Sequence, residues 1–214
     1  ALTTAQVASL NADQLAGLST TNLNALGTAH FANLSAAQVA ALTAAQVAKL
    51  ETADVAALGT AALRGLGADA IAALTTAQAE ALTSGQLAAF SAAQLGALET
   101  ADVAAISTAD IKALTPAALA SLSAEQLGSL SAGQIAALTT EQVAALRTDR
   151  LSGLGTAQIV ALSSAQVGAL SSAQVAVLST AQVAAIETAD IKALSAAALR
   201  ALRSGGASRG RAVR

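Results

Sequence analysis

The chain has no cysteine, methionine, tryptophan or tyrosine, and it has two phenylalanines, one proline and one histidine. Each absence excludes something. Without cysteine there is no disulfide and no thiolate to serve as nucleophile or metal ligand, a condition that suits an exported chain and a cytosolic one equally. Charge is scarce as well, at 11% of residues, so Ser, Thr and Gln carry most of the polarity. A mean hydropathy of +0.59 would suit a membrane, but a spanning helix needs roughly 18 mainly apolar residues in a row, and Ser, Thr, Gln or Asp interrupts every stretch of eight. The opening ALTTAQVASL has no starting Met, basic n-region or signal-peptide core, and it reads as part of something longer or as a processed product.

What is there instead is a repeat. From Leu2 to Leu202 a leucine recurs every eight residues without a slip of register, and among these 26 positions only Phe90, Ile106 and Ile186 differ. The repeat takes up nearly all 214 residues and leaves no room for a separate catalytic domain. Lettered from its leucine, the octad reads Leu (a), Ser/Thr (b), Thr/Ala (c), Ala (d), Gln (e), Val/Leu/Ile (f), Ala (g), and Ala/Ser/Gly (h), as in LTTEQVAA at 138 and LSTAQVAA at 178. Of 25 b positions 16 are Ser or Thr, and of 25 e positions 14 are Gln and four are Asp. Ser/Thr followed three residues later by Gln is the capping box of a helix start, and Leu at a with Val at f has the spacing of the hydrophobic staple.

Geometry excludes two other readings. In one continuous α-helix, eight residues advance about 80° beyond whole turns, so the apolar positions would spiral and form no stripe. In a strand, a and f would face opposite sides, and Ala and Gln are poor strand formers. The octad therefore predicts a string of helices about six or seven residues long, each starting at b and ending near the next Leu. Isolated helices shorter than about 12 residues are marginal, so these must be stabilised by stacking, as in a solenoid. Full reversals are disfavoured, because an antiparallel helix pair needs a loop of roughly 2–5 residues and here almost no linker remains. Three octads per coil enclose an interior that Leu and Val can fill, whereas four would leave a lumen below native density, with no large aromatics to plug it. The predicted fold is an all-α solenoid, a triangular prism of 24-residue coils forming a rod of about 70–90 Å at ordinary helix spacing.

The irregular octads bear on this scheme. Gly59 and Gly67 replace the cap, and Ala62 and Ala70 replace the Gln, so both halves of the box are lost together. Ala118 loses it at e after Thr115-Pro116, where Pro takes its favoured first helical position. Gly27 and Gly155 keep a polar partner in His30 and Gln158. Ala79, the one f residue almost without a side chain, predicts a local void or an inward shift.

The segments LTPAALASL, LSTAQVAAI and LTTEQVAAL resemble the tandem octapeptide arrays of large bacterial repeat proteins. That resemblance covers residues 1 to about 203, and it implies a short-helix, three-sided α-solenoid likened to a Toblerone bar, with no assigned activity. The same phrase is similar to the start of the transcription-activator-like effector repeat, which reads DNA. Those repeats are about 34 residues long and carry a base-reading pair in a Gly-containing loop; the period here is eight, which argues against DNA reading by that route.

Few residues qualify as a site. Glu51/Asp54, Glu99/Asp102 and Glu187/Asp190 share the sequence ETAD; a Ca²⁺ site would need six to eight oxygens, and acids in a first helical turn are expected for the helix dipole alone. In a three-octad coil Glu51 and Glu99 would share an edge without touching, with Glu187 off that phase. His30 has no second His and no Ser–Asp constellation, and reads as a capping variant. Gly205-Gly206 has no phosphate-loop context. No catalytic, cofactor or metal residue is expected.

After Leu202 the octad stops, and RSGGASRGRAVR brings Arg203, Arg209, Arg211 and Arg214, with Arg200 just before. Residues 204–214 read as a flexible Gly/Ser/Arg-rich tail beyond a solenoid of residues 1–203, or else as a basic arm for phosphate or acidic surfaces. Residues 1–199 carry 13 acids and six bases, a balance that repels nucleic acid. The functional expectation is a structural module without catalysis: a rod, stalk or spacer of a larger bacterial protein, secreted or at the cell surface. The alternatives are a protein-binding scaffold and end-to-end self-association.

Overall fold

In the computed structural model, which describes residues 2–209, every regular element is helical. The described residues form 23 α-helices and two 3₁₀ turns, Ile111–Ala113 and Leu151–Gly153, with no strand. Most of the α-helices are four to six residues long, and each octad holds one α-helix or one 3₁₀ turn. Two backbone bonds recur and build the unit: the f amide donates to the b carbonyl, and the next a amide donates to the f carbonyl, as in Val55 N to Glu51 O at 3.1 Å and Leu58 N to Val55 O at 3.2 Å. The helix therefore ends on a tight i→i−3 bond at its Leu.

The corner itself needs two residues. Leu98 (φ −61°, ψ 144°) and Glu99 (φ −68°, ψ 156°) are both extended, and the pair turns the chain from one helix into the next. No described residue has a positive φ. A leucine and almost any cap can therefore make the turn, which explains why the array has no obligatory glycine at its joints.

Two compact units can be described, residues 1–114 and 115–214. In the first, each helix packs on the helix three octads later, so three stacks result. One runs Thr4–Ala8, Thr28–Phe31, Thr52–Ala57, Thr76–Glu80, Thr100–Ala105. The second runs Ala12–Ala16, Ala36–Ala40, Thr60–Leu63, Ser84–Ala89 and the 3₁₀ turn Ile111–Ala113, and the third Thr20–Asn24, Ala44–Val47, Ala68–Ala72, Ala92–Ala97. The second unit repeats the arrangement, for example Pro116–Leu119, Thr140–Ala145, Ser164–Gly168 and Thr188–Ile191. Each unit is thus a solenoid with three octads, or 24 residues, per turn.

The a and f side chains fill the interior of each unit. From Leu26 to Leu178 every a residue is buried, and from Val7 to Val175 every f residue is. Removing a Val or Leu side chain from water stabilises by about 1.5–3 kcal/mol, and each octad contributes two. Ala79 is 1% exposed, and Phe90, the one aromatic at an a position, falls in the same turn, so one layer contains both the smallest f and the largest a residue. Ile135, Leu138, Leu151 and Leu162 line an apolar void of about 10 Å³, at the lower limit for one water molecule and without polar partners for it.

Small residues at g and h let successive turns approach. A Cβ at Gly153 would stand 2.0 Å from the Ala124 carbonyl oxygen, and one at Gly65 would stand 2.3 Å from that of Ala36. The last helix, Ala196–Arg209, continues through residues 204–209, the first part of the expected tail, while 210–214 lie outside the described residues. Among the described residues no helix is long and apolar enough to cross a membrane.

Two glycine substitutions should separate these roles. Gly153→Ala forces the Ala124 backbone to move and is expected to destabilise by about 1–3 kcal/mol. Gly85→Ala lies inside a helix, where the added Cβ would meet only Thr60 Cγ2 at 3.8 Å, and it should stabilise by about 0.5–1 kcal/mol. Denaturant unfolding of the two variants beside the parent measures both.

Candidate functional site

The most regular chemical feature of the molecule is the row of e-position carboxamides. Oε1 of Gln38 accepts from the Ser35 amide at 2.9 Å, and Ser35 Oγ accepts from the Gln38 amide at 3.3 Å, which closes the capping box within one octad. The same box forms at Thr43/Gln46, Thr83/Gln86, Ser91/Gln94, Ser163/Gln166 and Ser171/Gln174, among others. Nε2 of Gln38 then points to the turn beneath and donates to the carbonyls of Val7, Ala8 and Leu10 at 3.0, 3.3 and 2.9 Å. These are the last carbonyls of an earlier helix and of its corner.

That second contact repeats at fixed spacing. Gln86 reaches Val55, Ala56 and Leu58, Gln166 reaches Ile135, Ala136 and Leu138, and Gln174 reaches Val143, Ala144 and Leu146. Helix termini leave backbone N–H groups at the start and carbonyls at the end without intrahelical partners. One carboxamide supplies an acceptor to the start of its own helix and a donor to the end of another. Twelve of the glutamines at e are buried; Gln6 and Gln14, in the first turn, are exposed and make only the bonds within their octads.

Other side chains at e adapt the arrangement. His30 accepts from the Gly27 amide through Nδ1 at 3.1 Å, and its Nε2 lies 2.9 Å from the Leu2 carbonyl oxygen. The ring bridges the same two groups that a glutamine would, in the tautomer that carries its proton on Nε2. A carboxylate can only accept, so three of the four Asp at e, all but Asp54, find a donor elsewhere, in the c-position hydroxyl of the helix below. Thr76 Oγ1 donates to Asp102 at 3.0 Å, Ser84 Oγ donates to Asp110, and Ser164 Oγ donates to Asp190.

These carboxyls differ in electrostatics. Burial raises the Asp102 pKa above the ordinary carboxylate value, partly offset by the Thr76 hydroxyl and the Glu99 amide and reinforced by the Glu99 charge. Its Oδ2 is buried without a hydrogen-bond partner. Asp54 is raised by burial and then by Glu51. Asp110 is lowered by the Ser107 and Ser84 hydroxyls against a smaller effect of burial, with Lys112 adding to the lowering.

The residues singled out by sequence fall as follows. Glu51, Glu99 and Glu187 are exposed caps whose side chains make no cap hydrogen bond, while Asp54, Asp102 and Asp190 turn inward and are buried. The two acids of each ETAD are therefore separated between surface and seam. The helix Thr76–Glu80 lies between Thr52–Ala57 and Thr100–Ala105, so Glu51 and Glu99 belong to one stack with a turn between them. Among the described residues no three His, Cys, Asp or Glu side chains gather as metal ligands. Arg200 lies in the last helix; Arg211 and Arg214, and the side chains of Arg203 and Arg209, lie outside the described residues.

The capping-box pattern in the sequence accounts for only half of what each Gln does and does not reach the contact between turns. A signal was nevertheless present. Glu serves a capping box as well as Gln does, yet no e position is Glu; the strict preference for the amide marks a donor requirement that the box does not have.

Gln86→Glu retains the acceptor but sets a carboxylate against three carbonyls in a buried seam, and it should cost about 3–5 kcal/mol, whereas Gln6→Glu, exposed in the first turn, should stay within about 0.5 kcal/mol of the parent. Equal costs in thermal melts would remove the inter-turn role. For the aspartates, a raised folded pKa contributes stability below the unfolded value that is lost as pH rises through the folded one, and a lowered pKa contributes stability above the unfolded value that is lost as pH falls. At neutral pH Asp102→Asn should therefore melt above the parent and Asp110→Asn below it, with both differences shrinking in acid.

No curated protein matches the chain. A family model described as the ALTTAQ repeat matches residues 20–50, 47–84, 103–140, 143–180 and 183–206. These stretches cover well over half of the sequence, and the helical repeat of each unit agrees with them. A repeat family on an all-helical repeat fold fits a non-enzymatic structural role. The chain belongs to the ALTTAQ repeat family.

Proposed function

We propose that the chain is a structural repeat module, a stiff rod that acts as stalk or spacer in a larger bacterial protein and has no catalytic activity. The observation that carries this reading is the carboxamide bridge, which spends the recurrent polar side chain of the octad on joining one turn to the next. The burial of the a and f side chains supports it too, since a packed solenoid resists bending where an open lumen would yield. The proposed setting is secreted or at the cell surface, where a chain without cysteine has no thiol to oxidise. Residues 1–203 constitute the module, and the acidic balance of residues 1–199 disfavours nucleic acid as a partner.

Small-angle scattering from the isolated chain tests the reading. The expected profile is that of a rod with a maximum dimension of about 70–90 Å, from turns spaced as packed helices; a compact globule or a random coil would remove the spacer role. A second reading, end-on association, is favoured by Gln6 and Gln14, whose exposed amides make none of the inter-turn bonds that Gln38 makes. Light scattering should then show mass rising with concentration, and a monomer at all concentrations would exclude it.

A further inference from the structure

Within residues 1–114 the bonds between turns are distributed unevenly. The turn of residues 26–49 is fastened to the one beneath by His30, Gln38 and Gln46, and by Asn24 Nδ2, which donates to the Lys49 carbonyl at 2.6 Å. The turn of residues 74–97 is fastened downward by Gln78, Gln86 and Gln94, and by Arg64 Nε, which donates to Ala89 O at 3.3 Å. Residues 98–113 are held by Asp102 on Thr76 and Asp110 on Ser84.

The turn of residues 50–73 differs from all of these. Its e positions are Asp54, Ala62 and Ala70, and its caps are Glu51, Gly59 and Gly67, none of which makes a side-chain cap bond. Among the described residues the one hydrogen bond between residues 50–73 and residues 19–49 is the corner bond along the chain, from Leu50 N to Val47 O at 3.1 Å; none runs between stacked turns. Where the Ala70 octad lacks its glutamine, a surface cleft opens between Leu42 and Gly67, with Asp69 at its side. The turns still pack, and at Gly65 they approach too closely for a Cβ, but this contact is one of shape alone.

We infer that the seam between residues 26–49 and 50–73 is a built-in opening point, at which the solenoid of residues 1–114 parts before it parts anywhere else. In a solenoid the stability is a sum of repeat terms and nearest-neighbour interfaces, and the helices on both sides of this seam have ordinary lengths and filled a and f positions. The interface is what differs. Removing several buried hydrogen bonds from one interface and leaving its neighbours intact confines opening to that interface.

Hydrogen exchange on the full chain tests this. The slowest amides of residues 26–73 are expected to exchange at least tenfold faster than those of residues 74–97. A variant carrying Gly59→Ser, Ala62→Gln, Gly67→Ser and Ala70→Gln installs the missing caps and amides; it should abolish that difference and leave 74–97 unchanged. Gln86→Ala, which removes a bond from the fastened seam above, should bring residues 74–97 toward the faster rate. Uniform protection across 26–97 in the parent would overturn the inference, as would a folded fourfold variant that exchanges like the parent.

Discussion

A helix of five residues consists almost entirely of ends. Nearly every backbone amide in it belongs to the first turn and nearly every carbonyl to the last, so regular hydrogen bonding within the helix leaves most of its polar groups unsatisfied. Burying such a helix without partners would cost more than its two apolar side chains return. The carboxamide at e resolves this, because it accepts at one helix start and donates at another helix end. The rest of the structure follows from where that donor has to reach: turns must lie in register three octads apart, and the backbones must be close enough for one side chain to span them. Close approach in turn requires the small residues at g and h, and at Gly65 and Gly153 it requires the complete absence of a side chain.

Much of this was legible in the octad. Leu at a and Val at f gave the core, Ser/Thr at b gave the helix starts, and the failure of continuous helix and strand to bury both apolar positions pointed to short helices. Three octads per turn was legible from volume, since Leu and Val fill only a narrow interior. What could not be read are contacts between residues about 26 to 31 apart, because nothing local marks them. Ser84 and Ser164 look like any other first-turn residue until the stack sets them under Asp110 and Asp190. The cap position of His30 shows half of its role; the bond to the Leu2 carbonyl is the other half. The 3₁₀ turns at Ile111 and Leu151 lie within octads whose e residues are Asp110 and Arg150, a departure that the eight-residue pattern conceals because a and f stay apolar.

The polar bonds that organise these units are mostly neutral. Asp149 pairs with Arg147 and Arg150 on the surface of one corner, and exposed pairs of this kind contribute little. Amide-to-carbonyl bonds are not screened by salt as charge pairs are. A fold held in this way should keep its cohesion across wide changes of ionic strength, which suits a module whose surroundings are not constant.

The corner made of two extended residues, with no positive φ, also bears on how such a chain comes to have its length. Each octad carries its own turn, most carry their own cap and bridge, and no described residue needs a special backbone conformation from a neighbour. Duplication or loss of a 24-nucleotide unit in the coding sequence therefore adds or removes one side of the prism without creating a joint that cannot fold. Selection can adjust reach in small equal steps, by copy number, while the chemistry of each step stays the same.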